Sequence, residues 1–267
     1  MFLVLDVGNT NITVALFQQN QQLIVSWRTA TDPRKTADDY TAWLLPLLEK
    51  NQVAVSAIHH IVLASVVPDT DYPLKTFLRQ LFRQEPMLVT AATAKVEVRL
   101  PFQHEVGADR LVNAYAARRL YRAPAIILDF GTATTFDVLD TDGAYIGGVI
   151  APGPNLSLQA LYNAAAKLPK IAISRPSHVL GQTTVTAMQS GLYWGYVSLI
   201  EGLLRRLQQE VFTGKPEPLV IATGGLARLF ADSMPQIAVH DLDLTVKGLA
   251  LLATDQGTPG LTQHADF

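Results

Sequence analysis

Two short polar segments contain the residue types that bind phosphate groups. Asp6–Asn11 reads DVGNTN and Asp129–Thr135 reads DFGTATT, and each follows an apolar run. In each segment a glycine two residues after the aspartate allows a turn that brings backbone N–H groups against an anion, and Asn and Thr side chains add neutral donors. In the first segment Asp6 is placed to hold the Mg²⁺ that accompanies a nucleoside triphosphate. Either segment alone is also compatible with an ordinary polar hairpin turn, because Asp, Gly and Asn are common turn residues.

The two segments belong to an internal repeat. Asp129 follows Asp6 by 123 residues, and twice that distance covers nearly the whole chain of 267 residues. In both copies an alternating stretch follows, at Ile12–Phe17 and at Thr135–Leu139, so each copy predicts a strand–turn–strand hairpin. Two turns of one design indicate two loops that bind one polyphosphate from opposite sides.

A third segment, Val106–Arg110 (VGADR), has the residues needed for phosphoryl transfer to an alcohol. Such a reaction needs a carboxylate near the hydroxyl to accept its proton and a cation to orient an anionic substrate. Asp109 and Arg110 supply one of each. The alternative is structural, because the same pair could be a cap and a first-turn charge for a helix predicted over Arg110–Tyr121.

The elements that would position these segments alternate between β-like runs and helical patterns. Besides the hairpins, β-like runs are predicted at Ile61–Val67, Met87–Val89, Ala144–Ile150 and Leu219–Ala222. Helices are predicted over Ala37–Glu49, Tyr72–Gln84, Arg110–Tyr121, Asn155–Ala166, Thr184–Gln209 and Val246–Ala253. The pattern favours an α/β protein with two domains and mixed sheets. The break at Ala123-Pro124 gives the predicted boundary, with an N-terminal domain over 1–123 and a C-terminal domain over 124–267.

Composition excludes several classes of function. The net charge is −2 and only 16% of residues are charged, so no basic surface for nucleic acid or anionic membrane is expected. The chain has no cysteine, which excludes disulfides and thiolate metal sites and fits a reducing compartment. Neither a signal peptide nor an apolar run of membrane-spanning length is evident. A cytoplasmic protein is therefore expected.

Other nucleotide-binding and hydrolase signatures are missing from the sequence. No two glycines have the G-x-G spacing of a dinucleotide fingerprint, and Gly214-Lys215 is followed by Pro216 and not by Ser or Thr. The six histidines lack the spacing of a zinc site, and no G-x-S-x-G sequence occurs. The glycine spacing excludes a Rossmann site, and the proline after Gly214-Lys215 excludes a Walker site.

Taken together, the segments resemble the superfamily of acetate and sugar kinases, heat-shock chaperone ATPases and actin. Thr223-Gly224-Gly225 is similar to the adenosine-side motif of that superfamily. The resemblance to type III pantothenate kinases is closer and rests on seven blocks in family order: Asp6–Thr10, Ser65–Pro68, Val106–Arg110, Asp129–Thr135, Gly147–Gly153, Gly181–Gly191 and Thr223–Gly225. It implies two duplicated actin-like (RNase H-like) α/β domains with mixed sheets and an ATP cleft between them.

The family resemblance also implies an activity and its ligands. The reaction is the ATP-dependent phosphorylation of pantothenate to 4′-phosphopantothenate, the first step of coenzyme A biosynthesis. Asp109 is implied as the general base and Arg110 as a contact to the pantothenate carboxylate, with Gly107 and Ala108 beside them. ATP would be bound by Thr132 and by a run of residues in the first segment, namely Asp6, Val7, Gly8, Asn9, Thr10, Asn11, Ile12 and Thr13.

Further expectations concern metal ions, substrate and assembly. Asp6 is expected to hold Mg²⁺, and the resemblance implies that Asp129 is a ligand of a monovalent cation, K⁺ or NH₄⁺. Thr184 matches a family residue at the pantothenate pocket, and it is also a competent N-cap for the helix that follows. The resemblance further implies a homodimer.

One position departs from the family pattern. Many members have a Tyr seven residues before Gly107, where it lines the substrate pocket, whereas this chain has Leu100. The departure leaves open a different small-molecule kinase on the same fold, because fold does not fix substrate. A non-catalytic ATP-binding regulator is a second alternative, which the presence of Asp109 and Asp6 disfavours.

Overall fold

The first sheet of the computed structural model, which describes residues 1–164 and 168–255, is mixed and has five strands. Its strands are β1 (Phe2–Val7), β2 (Asn11–Phe17), β3 (Leu23–Ala30), β4 (His60–Ser65) and β5 (Met87–Leu88). They lie in the order β3-β2-β1-β4-β5. The pairs β1–β2 and β2–β3 are antiparallel, whereas β1–β4 and β4–β5 are parallel.

The second sheet repeats the first, strand for strand. It contains β6 (Ala125–Phe130), β7 (Ala133–Leu139), β8 (Tyr145–Pro152), β9 (Leu219–Thr223) and β10 (Val239–His240). Their order is β8-β7-β6-β9-β10, with antiparallel β6–β7 and β7–β8 pairs and parallel β6–β9 and β9–β10 pairs. The first strands of the two sheets share one burial pattern, in which only the aspartate is incompletely buried. The predicted duplication and both hairpins are confirmed.

Seven α-helices connect and cover the strands. They are α1 (Ala37–Lys50), α2 (Pro68–Phe82), α3 (Ala108–Leu120), α4 (Pro154–Ala164), α5 (Thr184–Phe212), α6 (Ala227–Phe230) and α7 (Leu244–Asp255), all within 1–164 and 168–255. Each predicted helix matches one of them to within a few residues, apart from the end predicted for α4 at Ala166, which lies outside the described residues. The four-residue α6 was not predicted.

Each sheet has a hydrophobic core of its own. In the first, Leu3 and Leu5 of β1 pack in one cluster with Leu44 of α1 and Phe77 of α2, all essentially inaccessible to solvent. In the second, Leu128 of β6 packs in one cluster with Tyr193 and Ile200 of α5 and with Phe230 of α6, and the Phe130 and Phe230 rings stack at 5.5 Å between centroids. Burial of each such side chain contributes about 1.5–3 kcal/mol.

The chain packs into two compact units. Of the described residues, the first contains Met1–Lys95, His104–Val112 and 245–255, and the second contains Val96–Gln103 and those between Asn113 and Leu244. Each unit contains one of the sheets. The domain boundary at Ala123-Pro124 stays a prediction.

Two strands were not predicted from the sequence. In β3 exposed residues alternate with half-buried ones and none is fully buried, and its apolar face consists of the half-buried Val25 and Trp27, which pack against the first core. This short face gives a weak periodic signal. The strand β10 has only two residues, too few for any periodicity. Within 1–164 and 168–255, no helix combines the length and the apolar character that a bilayer span requires.

Candidate active site

The first phosphate-loop candidate is the turn of the β1–β2 hairpin. Its ends are fixed by pairing of the buried residues Val7 and Ile12, and the Gly8 N–H donates to the Asn11 carbonyl at 3.0 Å. A Cβ at Gly8 would lie 3.3 Å from that carbonyl oxygen, so glycine permits the tight turn. Asn9, Thr10 and Asn11 are exposed at the tip. The hairpin thus presents polar groups to solvent from an apolar base.

The second candidate loop is the equivalent turn of the β6–β7 hairpin. Asp129 is half-buried at the end of β6, and its Oδ2 accepts a hydrogen bond of 3.1 Å from the Asn113 amide on α3. Asn113 is completely buried. Gly131 and Thr132 are exposed at the tip. A buried amide therefore orients the carboxylate beneath this loop.

Two further glycines pack directly against the second loop. Gly224 has φ +89°, and a Cβ there would lie 2.5 Å from Asp129 Oδ1 and 2.7 Å from the Phe130 nitrogen. Gly153 donates its N–H to the Thr132 carbonyl at 3.1 Å. The Thr223–Gly225 segment, noted above for its likeness to an adenosine-side motif, therefore lies against the carboxylate that the sequence singled out. No side chain would fit at Gly224 without a shift of the loop.

Asp109 lies in the first turn of α3, which begins at Ala108, two residues earlier than predicted. The interpretation of Asp109 as the residue that caps this helix is therefore wrong, whereas the other part of that alternative, an acidic charge in the first turn, is confirmed. Its Oδ1 accepts from the Arg110 N–H at 2.8 Å, and a Cβ at Gly107 would lie 2.7 Å from the same oxygen. Burial raises the pKa of Asp109 above its ordinary value, although the Arg110 N–H and guanidinium act in the opposite direction.

Val66 connects the first loop to the turn that carries Asp109. Its N–H donates to the Val7 carbonyl at 3.0 Å, at the base of the loop. Its Cγ1 lies 3.4 Å from the position that a Cβ of Gly107 would take. Three segments that are far apart in the sequence, 6–11, 65–68 and 106–110, therefore meet within the first compact unit. A half-buried carboxylate with a raised pKa therefore lies in the same region as the first candidate phosphate loop, an arrangement compatible with phosphoryl transfer.

Thr184 occupies the first position of α5 and is exposed. The N-cap of this helix is Thr183, whose hydroxyl accepts from the Thr186 N–H at 3.2 Å in a capping box. The prediction that Thr184 caps the helix is therefore wrong by one residue. Because Thr183 supplies the N-cap, the Thr184 side chain is not required to cap the helix.

Comparison with known proteins identifies the family. The sequence model described as type III pantothenate kinase matches residues 2–206. The chain belongs to the type III pantothenate kinase family. It is 48% identical over 261 residues to the type III pantothenate kinase of Paramagnetospirillum magneticum, with 97% of this chain and 99% of the relative covered. It is 46% identical to that of Caulobacter vibrioides, with 93% and 95% covered.

Solved structures show the fold of this type III pantothenate kinase family member. The inorganic polyphosphate/ATP-glucomannokinase of an Arthrobacter species superimposes with a TM-score of 0.52 at 15% identity, covering 96% of this chain and 98% of that one. The activator of 2-hydroxyisocaproyl-CoA dehydratase from Clostridium difficile, solved with bound ADPNP, gives 0.57 at 13% identity, covering 96% and 94%. Identities this low show the fold alone, which is the two-domain actin-like fold of sugar kinases.

Leu100, where many type III pantothenate kinases have tyrosine, is half-buried in the second unit. Its Cδ2 lies 3.9 Å from the position that a Cβ of Gly147 would take, in ordinary van der Waals contact. Leu100 thus packs against the glycine pair that begins one of the family blocks.

Sequence reasoning missed two residues that contact the candidate loops. Asn113 follows Asp109 by four residues on α3, a spacing that could have drawn attention to it, but an Asn within a helix carries no signal for a partner 16 residues away. Thr31 follows an unpredicted strand and bonds to the first loop. Among residues 1–164 and 168–255, no cluster of three or more His, Asp or Glu side chains could hold a metal ion.

Proposed function

We propose that this chain transfers the γ-phosphoryl group of ATP to the hydroxyl of pantothenate and forms 4′-phosphopantothenate. The observation that carries the proposal is the meeting of the first loop with the Gly107–Arg110 turn through Val66. It supports the proposal because the carboxylate of Asp109 and the guanidinium of Arg110 belong to a turn in the same region of one unit as the candidate phosphate loop. Family membership supplies the identity of the acceptor. Little covalent chemistry is required of the protein, so positioning and electrostatics dominate the rate enhancement.

Asp109 is the proposed general base. Its carboxylate accepts the proton of the attacking hydroxyl, and its raised pKa makes it a stronger base than an exposed aspartate. Arg110 is proposed to bind the pantothenate carboxylate, because a guanidinium matches the planar geometry of a carboxylate. Gly107 and Ala108 complete this turn, where the absence of a side chain at Gly107 leaves room for Asp109.

The residues from Asp6 to Thr13, together with Thr132, are the proposed ATP contacts. Asn and Thr side chains and backbone amides bind phosphate oxygens without fixed positive charge, in agreement with the low charge of the chain. Mg²⁺ accompanies ATP and needs only one or two protein carboxylates, of which Asp6, half-buried at the end of β1, is the proposed one. When bound, Mg²⁺ would neutralise part of the negative charge of the phosphates.

Asp129 is the proposed ligand of a monovalent cation. Its environment is compatible with such an ion, because one carboxylate oxygen is oriented by Asn113 and the other borders the Cα of Gly224, where no side chain fits. A cation held here supplies positive charge near the second loop.

Thr184 is proposed to contact pantothenate, and the active form is proposed to be a homodimer. Exposed apolar side chains in the second unit support an interface, among them Val179 at 67% and Leu180 at 80% exposure, followed by Leu156, Leu161, Tyr162 and Val185. Neither nucleic acid nor membrane is a proposed partner, and a cytoplasmic location is proposed because ATP and the rest of coenzyme A synthesis are found there.

ADP release by the purified protein tests the reaction. We expect ADP formation that requires both ATP and pantothenate, and stimulation by K⁺ or NH₄⁺ relative to Na⁺. Other small polyols, tested at the same concentration, are expected to give no more ADP than the reaction without acceptor. ADP formation that is independent of pantothenate would contradict the proposed substrate, and equal rates in K⁺ and Na⁺ would contradict the cation requirement.

A further inference from the structure

The residue that follows the third strand of each sheet bonds to the tip of the candidate phosphate loop. In the first sheet the Thr31 N–H donates to the Thr10 carbonyl at 3.0 Å. In the second the Gly153 N–H donates to the Thr132 carbonyl at 3.1 Å. The two positions are equivalent in the repeats. Thr31 follows Ala30, which pairs with the first residue of β2, and Gly153 follows Pro152, which pairs with the first residue of β7. In both repeats the loop is therefore held by an equivalent backbone hydrogen bond.

The side chains at these two equivalent positions differ. Thr31 makes a second bond, from its Oγ1 to the Gly8 carbonyl, at 2.6 Å. At Gly153 a Cβ would lie 2.2 Å from the Thr132 carbonyl oxygen and 2.8 Å from that of Gly131, the counterpart of Gly8. The second loop thus packs directly on the backbone of Gly153. In the first repeat the loop lies farther from the backbone of Thr31, so a side chain fits there, and its hydroxyl makes the hydrogen bond to the loop.

The Thr31 hydroxyl controls the orientation of a peptide group at the loop tip. A trans peptide is planar, so the Asn9 N–H points away from the Gly8 carbonyl to which it is joined. Thr31 holds that carbonyl toward the body of the protein, and this directs the Asn9 N–H outward, at a residue that is exposed. An outward amide in a turn of this kind is a donor for a phosphate oxygen. A loop without this bond has more than one accessible peptide orientation.

We propose that Thr31 is a positioning residue for ATP: its hydroxyl fixes the peptide between Gly8 and Asn9 so that the loop is preorganised for phosphate. This inference rests on the proposed assignment of the first loop to ATP. It extends that assignment to a residue outside the seven family blocks, and it predicts an effect on nucleotide binding that is separate from the binding of pantothenate.

The test uses Thr31→Val, which removes the hydroxyl at nearly constant shape, and Thr31→Ser, which keeps it. For Thr31→Val we expect the dissociation constant of a non-hydrolysable ATP analogue, measured by calorimetry, and the KM for ATP to rise about threefold to tenfold, the loss of one ordinary hydrogen bond. The KM for pantothenate is expected to stay unchanged. Thr31→Ser is expected to restore ATP affinity to within about twofold of the wild type.

Thr41→Val is the matched control. Thr41 lies on α1 in the same unit, is also half-buried, and donates its hydroxyl to the Ala37 carbonyl at 3.0 Å. Its replacement removes a bond of the same type away from the loop, so it reports any general effect on stability. We expect melting temperatures to fall similarly in both valine variants, but ATP affinity to fall only in Thr31→Val.

Three results would overturn the inference. One is unchanged binding of the ATP analogue by Thr31→Val, another is an equal loss in Thr41→Val, and the third is a Thr31→Ser variant as weak as Thr31→Val. Failure of the proposed function is a separate result: wild-type protein would then release no ADP in response to pantothenate, whereas the binding measurement does not depend on the acceptor.

Discussion

At the residue scale, the properties of Asp109 follow from what surrounds one carboxyl group. Burial disfavours its charge, and the Arg110 N–H and guanidinium partly compensate. Gly107 matters because any side chain there would collide with the carboxylate oxygen, 2.7 Å from the position of a Cβ. The short helix-initiating segment therefore holds a carboxylate whose protonation depends on its immediate neighbours.

Asp109→Asn is expected to lower kcat by about 10²–10⁴, the usual effect of losing a general base. The KM for ATP is expected to change little, because the first loop keeps its backbone bonds. Asp38→Asn is the matched control, since Asp38 is also an acidic residue in the first turn of a helix of the same unit but is exposed. Steady-state kinetics with both substrates varied provide the measurement. Full activity of Asp109→Asn would exclude this residue as the base.

The pH profile of kcat/KM for pantothenate gives a second test at Asp109. The base acts only when deprotonated, so activity is lost as the pH falls through its pKa. Because burial raises that pKa, the acidic limb is expected above the ordinary aspartate value of about 3.9. Activity that is independent of pH down to about 4 would contradict the assignment.

At the element scale, one hydrogen bond ties the end of α3 to the segment before α7. The Tyr121 hydroxyl donates to Asp241 Oδ2 at 2.8 Å, and Asp241 Oδ1 accepts from the Asp243 N–H at 3.1 Å. Asp241 is buried. Burial, followed by the hydrogen bond to Asp241, raises the pKa of Tyr121 to about 12. Two elements that are distant in the sequence are thereby joined through one carboxylate.

Tyr121→Phe is expected to lower the free energy of unfolding by about 1.5–3 kcal/mol, the range for a hydrogen bond to a charged group. Denaturant titration measures this loss, and Tyr72→Phe, at an exposed position of α2 outside the proposed interface, is the control with no expected change. The pH dependence has a definite sign. A tyrosine whose pKa is raised on folding adds stability below pH 10, and that contribution disappears as the pH rises toward about 12.

The difference in free energy of unfolding between wild type and Tyr121→Phe should therefore decrease from pH 10 to about pH 12. A difference that stays constant over this interval would show that Tyr121 has no raised pKa. Equal destabilisation by Tyr72→Phe would mean that loss of any tyrosine hydroxyl, and not the bond to Asp241, causes the effect.

At the scale of the whole molecule, the two repeats have equivalent sheets but unequal surfaces. The second unit carries exposed apolar side chains on α4 and beside α5, and α4 is attached to α5 by a 2.9 Å hydrogen bond between Ser157 and Tyr196. The Ser190 hydroxyl donates to the Val179 carbonyl and so anchors the segment that carries Leu180. An apolar surface of this kind is typical of a protein–protein interface.

Leu180→Glu is expected to convert the proposed homodimer to a monomer, because a carboxylate would be buried at the interface without a partner. Sedimentation velocity over a range of concentrations gives the mass. Tyr72→Glu is the control, since Tyr72 on α2 is equally exposed, at 78% against 80%, but lies in the other unit. A dimeric Leu180→Glu variant, or a monomeric wild type, would contradict the proposed interface.

Much of the fold could be predicted because its causes are local in the sequence. The hairpins follow from an apolar run before Gly8 and Gly131 and an alternating stretch after each of them, and the repeat follows from the likeness of the two segments. Most helices follow from periodicity. In contrast, β3 was missed because its apolar face is short and only half-buried, at Val25 and Trp27. The first turn of α3 was missed because Ala108 and Asp109 lie before its apolar pattern begins.

The sequence by itself determined which residue types are available for chemistry: two polar turns that are candidate phosphate loops, the carboxylate Asp109 and its neighbour Arg110. Only the tertiary structure decided which groups hold them, since Val66, Asn113 and Thr31 act through contacts with residues 16 to 59 positions away. The physical reason is that turn geometry depends on neighbouring residues, whereas hydrogen-bond partners and burial depend on how distant segments pack.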